Sequence, residues 1–226
     1  MEKILCLDFD GVICNSIQEC LYTSYLAYGN YKNKLKIDYK IRAQIPIDII
    51  EKFNENRYLV KPAKDYGLLQ EMLHKKQLIS PDNFYKFKKE KIFSENTFER
   101  IFFKTRNNLI QSNRMSWLGM HKIYESVKIH WLSLTQKYPT YIVTNKDYDS
   151  VSILLDHFNL SIDKSKILGK EIEKPKYKIL SNLATKYALE NKNVIFIDDS
   201  SDYINEMLGF GFSAFFANSY IRFGVL

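Results

Sequence analysis

Two aspartates, Asp8 and Asp10, stand just beyond the short apolar run from Ile4 to Leu7, and Gly11 follows them. Paired carboxylates at a strand end can divide the work of a displacement, one attacking while the other handles a proton. The apolar run predicts a buried strand, and glycine lets the backbone turn sharply where that strand stops. In open α/β sheets this edge is where ligands bind, so the location favours chemistry over packing. Asp and Gly are also common turn residues, and in isolation the pattern reads equally as a turn. Three downstream segments weigh against that. Residues 141–145 are an apolar strand ending in Thr144 and Asn145, and residues 194–199 are a second one ending in Asp198 and Asp199. Between them Lys174 precedes Pro175, a residue that starts helices well.

With these four segments the chain resembles the haloacid dehalogenase superfamily, in its large phosphatase branch and near the phosphoglycolate phosphatases. The resemblance implies that Asp8 is the nucleophile, Asp10 the acid/base, Thr144 the second motif, Lys174 the third and the Asp198-Asp199 pair the fourth. Thr144, Asn145 and Lys174 are the phosphate-binding residues it implies. Dehalogenases proper lack the second aspartate of the first motif, so Asp10 points to phosphoryl transfer. Lys174 is preferred over its neighbours Lys170 and Lys176 because it precedes proline and stands five residues before Ile179. Asp198 occupies the place where the family usually has glycine, and counting back from Gly211 favours Asp199 as the principal metal ligand. Asp202 is expected either to support the metal ligands or, the preferred role, to cap the helix that follows.

A phosphate monoester is a dianion, so an attacking carboxylate meets an anionic phosphorus. Magnesium answers that repulsion, with Asp8, the backbone carbonyl of Asp10, and Asp198 or Asp199 as oxygen ligands. The expected reaction is attack by Asp8 to form an aspartyl phosphate, while Asp10 protonates the leaving alkoxide and then activates water. Thr144 and Lys174 stabilise the charge on the phosphoryl oxygens. The expected substrate is a small phosphorylated metabolite.

At 226 residues, 46% hydrophobic and 26% charged, the chain reads as a globular protein that can bury a core and carry an insertion. No apolar stretch approaches the roughly 20 residues of a membrane helix. Met1-Glu2-Lys3 leads directly into the first strand with no signal peptide, which predicts a cytoplasmic protein. Cys6, Cys14 and Cys20 match no zinc spacing and are expected to be reduced and structural. Helical periodicity covers Ile17–Tyr28, Ile47–Tyr58 and Lys64–Lys75, and Ser80-Pro81 marks a further helix start. Residues 82–109 read as one long helix or two broken near Ser94. From Tyr124 onward strands and helices alternate, with strands at 140–144, 165–168, 194–197 and 214–217.

That alternation predicts an α/β protein with a doubly wound, mostly parallel, Rossmann-like sheet. The resemblance adds an α-helical cap after the first motif, giving a core of residues 1–16 and 116–226 and a cap of residues 17–115. Within 17–115 Lys and Arg outnumber Asp and Glu by 19 to 11, whereas in the rest they are outnumbered by 15 to 14. A positive field concentrates anions, and Arg57 and Lys61, with Arg106 and Arg114, are the cap cations considered for the substrate's charged end. Three competing functions follow: a phosphomutase of the same superfamily, a nucleic-acid binder or polynucleotide end phosphatase using the basic cap, and a silent interaction protein. No nucleic-acid motif accompanies the basic cap.

Overall fold

The computed structural model describes residues 3–32, 39, 44–90 and 94–217, so the expectation for Met1-Glu2 lies outside the described residues. Every side chain of β1 (Ile4–Leu7) is buried, as an unbroken apolar run requires when both faces of a strand are covered. After β2 (Cys14–Asn15) come, among the described residues, α1 (Ile17–Tyr31), α2 (Ile47–Asn56), α3 (Asp65–His74), α4 (Pro81–Lys89) and α5 (Glu95–Leu118). The chain then runs through β3 (Lys122–Ile123), α6 (Glu125–Lys137), β4 (Thr140–Val143), α7 (Tyr148–His157), β5 (Ile167–Leu168) and α8 (Lys176–Lys186). It ends in β6 (Val194–Asp198), α9 (Ser201–Gly209) and β7 (Ser213–Phe216).

Five of these strands form one parallel sheet in the order β5-β4-β1-β6-β7. The strand earliest in sequence is therefore central, flanked by two later ones. Leu7 pairs with Ile142 on one side and Ile197 on the other, so β1, β4 and β6 end at the same edge. Residues that follow these strands are brought together by the register alone. One face is packed by Ile179, Leu180 and Leu183 of α8 and by Ile204 and Met207 of α9 against Ile4, Cys6, Val143 and Phe196. The fold is the α/β, doubly wound, Rossmann-like one expected.

Contacts divide the chain into residues 1–15 with 122–226, and residues 16–121. The helical unit runs past Met115, where the sequence reading ends it, because α5 continues through buried Trp117 and Leu118. Residues 82–109 are two helices, with 91–93 between them outside the described residues. Ser80 caps α4 by accepting from the Asn83 amide at 3.3 Å, with Pro81 in the first turn. The unit's core joins Tyr28, Phe53, Tyr66, Leu69, Met72 and Phe102. The rings of Tyr66 and Phe102 stack at 5.3 Å.

Part of the unit's basic excess is internal. Glu71, 4% exposed, accepts from the Tyr28 hydroxyl at 2.8 Å and pairs with Lys32 at 2.7 Å and Lys75 at 2.8 Å. Lys88 pairs with buried Asp65 at 2.7 Å, and Lys64 with Glu95 at 3.0 Å. Burial pushes the Glu71 carboxyl up, but Lys32, Lys75 and Tyr28 outweigh it and hold it at about 2 against the ordinary 4.5. A depressed folded-state value stabilises above the unfolded one, and that stability disappears as pH falls from 4.5 towards about 2. Thermal melts should therefore show Glu71→Gln less stable than wild type near neutral pH, with the gap closing through that acid window. A gap that stays constant with pH would contradict the assignment.

Among the described residues no helix is long and apolar enough to cross a membrane. Cys6, Cys14 and Cys20 are all buried and none is in a disulfide.

Candidate active site

Asp8 leaves β1 with its amide bonded to the Ile197 carbonyl at 2.9 Å, so the sheet's own ladder sets where its side chain emerges. Directly after it the chain turns. The amides of Ile13 and Cys14 donate to the Phe9 carbonyl at 2.9 and 3.0 Å, and Gly11 donates to Cys14 at 2.9 Å. Gly11 has φ of +84°, a conformation that side chains disfavour, and a Cβ there would collide with the Asp199 carboxylate. Glycine is thus required twice over, for the turn and for the close approach of Asp199.

Asp8, Asp198 and Asp199 each offer a carboxylate oxygen, and these oxygens lie within 4.8 Å of one another. Asp8 and Asp198 are buried, while Asp199 is exposed. Asp198 has both oxygens engaged, Oδ1 with the Ser200 amide at 2.8 Å and Oδ2 with Lys176 Nζ at 2.6 Å. Lys176 Nζ also lies 3.0 Å from Asp8 Oδ1. That contact is an ion pair out of hydrogen-bond alignment, which leaves Asp8 Oδ1 buried without a hydrogen-bond donor. Burial pushes the Asp8 carboxyl up to about 7; Lys176 opposes the rise, and Asp198, Asp199 and Asp10 add to it. Burial works against the charge on Lys176, yet Asp198 and Asp8 outweigh it and hold the ammonium protonated.

Lys176, and not Lys174, is therefore the lysine the structure brings to Asp8. Lys174 is exposed, on the far side of Pro175. The reason is helical period. Lys176 is the first residue of α8 and shares a face with Ile179, Leu180, Leu183 and Ala184, all buried, so the spacing that packs the helix also carries Lys176 inward. That signal was present in the sequence. Tyr203 of α9 supports the ammonium, with its ring centroid 4.6 Å from Lys176 Nζ.

Thr144, 6% exposed, follows β4 and accepts from the Lys146 amide through Oγ1 at 3.2 Å. Asn145, expected at the phosphate, donates its side-chain amide to the Tyr203 hydroxyl at 3.0 Å. Lys146, absent from the sequence expectations, is buried and reaches Asp10, with Nζ 3.2 and 3.4 Å from the two carboxylate oxygens. Only its position beside Thr144 and Asn145 hinted at this. The N-cap position of α9 is Ser200, whereas Asp202, expected there, sits exposed in the first turn.

Among the cap cations, Arg106 is 3% exposed and binds Glu19 through Nε and Nη2 at 2.8 and 2.9 Å. It is an internal partner of a buried carboxylate, contrary to the substrate-facing expectation. Arg57 donates to the Val60 carbonyl at 2.9 Å with its guanidinium 5.1 Å over the Tyr66 ring. The Lys61 amide donates to Asp65 at 3.3 Å, and Arg114 is exposed.

A buried lysine bridging two aspartates at the ends of adjacent parallel strands accompanies a fold of the hydrolase class. The description of the haloacid dehalogenase-like hydrolases matches residues 2–204, and the chain belongs to that family. Its fold is similar to a predicted phosphoglycolate phosphatase from Haemophilus somnus 129pt, with 19% identity, a TM-score of 0.57, and coverage of 94% of this chain and 83% of that one. A hydrolase from Pseudomonas syringae aligns at 12% identity and a TM-score of 0.58, covering 95% and 83%. A haloacid dehalogenase superfamily hydrolase of subfamily IA, variant 1, from Geobacter sulfurreducens PCA aligns at 13% identity and a TM-score of 0.51, covering 94% and 85%. Among curated proteins none matches the sequence.

Proposed function

We propose that this hydrolase is a magnesium-dependent phosphatase acting on a small phosphorylated metabolite through an aspartyl phosphate on Asp8. The observation that carries the reading is Asp8 held by Lys176 beside Asp198 and Asp199, with Asp10 two residues on. The donor set suits magnesium: carboxylate oxygens of three aspartates, grouped within 4.8 Å of one another. Asp8, Asp199 and the Asp10 carbonyl would hold the ion, with Asp198 beside them, and it would screen the repulsion between carboxylate and phosphate. A cation there also reverses the upward push on Asp8 and keeps it ionised for attack.

The chain's own groups divide the remaining work. Asp8 attacks phosphorus as the bond to the leaving oxygen breaks, and Asp10 gives that oxygen its proton. Asp10 then takes a proton from the water that attacks the aspartyl phosphate, which restores Asp8. Lys176 stays protonated beside the nucleophile and stabilises the charge that moves onto the phosphoryl oxygens. The Thr144 hydroxyl accepts from Lys146, which leaves its own O–H to donate to a phosphoryl oxygen. Resemblance to phosphoglycolate phosphatases supports a small phosphorylated acid as substrate. Three buried cysteines outside any disulfide suit a reducing compartment and support the cytoplasm as the place of action.

Purified protein should release phosphate from p-nitrophenyl phosphate with magnesium and lose that activity in excess chelator, recovering it when magnesium is returned. Undiminished turnover in chelator would remove the metal from the reading.

A further inference from the structure

We propose that Lys146 is a positioning residue that orients the Asp10 carboxylate for its two proton transfers, an inference that rests on the acid/base reading of Asp10. The Lys146 side chain is 0% exposed, and its Nζ lies 3.2 and 3.4 Å from the two Asp10 oxygens. A fully buried ammonium is costly unless paired, and a countercharge it meets is Asp10, 136 positions away. Asp10 is 21% exposed. Because Nζ approaches from the interior, it can hold the carboxylate while leaving it accessible to a leaving group or a water.

The backbone is built to deliver that ammonium. The Lys146 amide donates to Thr144 Oγ1 at 3.2 Å, and its carbonyl accepts from the Lys170 amide at 3.2 Å. Asp147 caps α7 by accepting from Ser150 at 2.9 Å, and Glu171 accepts from the Tyr148 amide at 3.2 Å. Gly169 completes the latch: a Cβ there would lie 2.9 Å from the Lys146 carbonyl oxygen and 3.0 Å from the Tyr148 nitrogen. Two loops are thus tied around one lysine. Lys146 gains and loses no proton in the reaction; Asp10 gives one to the departing oxygen and takes one from water. Proton transfer depends steeply on geometry, so loss of the restraint falls on the steps that need Asp10.

The test is a series of phosphate monoesters from p-nitrophenyl phosphate to alkyl phosphates, assayed with magnesium. Wild type, Asp10→Asn, Lys146→Met, Lys146→Arg and the Asp10→Asn/Lys146→Met double variant are compared, with circular dichroism as the folding check. Asp10→Asn should steepen the dependence on leaving-group basicity, since protonation matters most for a basic oxygen. Lys146→Met should steepen it too, losing about 100-fold in kcat on alkyl phosphates and only a few fold on p-nitrophenyl phosphate. Lys146→Arg should fall between, and it carries the test if the methionine variant does not fold. The double variant should be no worse than Asp10→Asn. Losses equal across all leaving groups, a rise confined to KM, or additive losses in the double variant would overturn the role of Lys146 while leaving Asp10 as the acid/base. A flat response in Asp10→Asn itself would overturn both readings.

Discussion

Asp8→Asn should reduce phosphate release by at least about ten-thousand-fold, the scale on which removing a nucleophile acts. Two independent properties of Asp8 converge on this. Its amide is part of the parallel ladder, so the side chain has one exit from the strand. Its carboxyl lies 3.0 Å from the Lys176 ammonium and within reach of two more acids. The amide of asparagine has nearly the same shape but can neither attack phosphorus effectively nor supply a charge for a cation. Acid-quenched protein should accordingly carry phosphate on Asp8 in the wild type and none in the variant. Beryllium fluoride with magnesium should place the analogue on Asp8.

The same substitution should not weaken the metal-free fold. Burial and three neighbouring carboxylates push Asp8 up to about 7 against an ordinary 3.8, with Lys176 only partly opposing them. A raised carboxyl value means that ionisation costs the folded state, and the cost accumulates as pH rises from 3.8 to about 7. Melts in chelator should therefore show Asp8→Asn gaining on wild type across that interval and holding the gain above it. Loss of stability at neutral pH would mean that the Lys176 pair outweighs the repulsion. Sites that work against the fold in this way are where activity and stability trade off.

Lys176→Met is expected to lower turnover by about 100- to 1,000-fold, the usual effect of removing one preorganised charge from a transition state. It should also destabilise the protein by about 3–5 kcal/mol, because Asp198 would keep a buried charge whose partner 2.6 Å away is gone. Lys174→Ala should do neither, since Lys174 is exposed. Denaturant titrations and steady-state kinetics on the two variants settle which lysine serves the site. A result in which Lys174→Ala is the inactive one would restore the assignment drawn from the motif spacing. Lys176→Arg should remain impaired, because a planar guanidinium does not fit the point-charge position between Asp8 and Asp198.

Local chemistry written along the chain was enough to find much of this site. The apolar runs before Asp8, Thr144 and Asp198 announce strands because burial on both faces leaves no room for polar alternation, and parallel pairing makes their ends coincide. Gly11 was legible for the same reason, as a turn at a strand end. Lys176 was within reach too: its spacing to Ile179, Leu180 and Leu183 marks the inner face of α8, whereas the preference for Lys174 rested on its place before Pro175 and five residues before Ile179 and passed over that period.

Other pairings were settled only by packing. Lys146 meets Asp10 across 136 residues, Arg106 meets Glu19 across 87, and Asn145 meets Tyr203 across 58. A charged or amide side chain carries no mark of its partner in its own neighbourhood, because propensity and periodicity report which face is buried and not what lies opposite. Arg106 read as a cation for substrate until burial required it to have a carboxylate, and α5 carries it to Glu19 on α1. Strand ends and their acids were therefore determined by the sequence through short-range rules, while the long-range choice of which cation holds which carboxylate was decided by tertiary structure, where desolvation makes an unpaired charge too costly to keep.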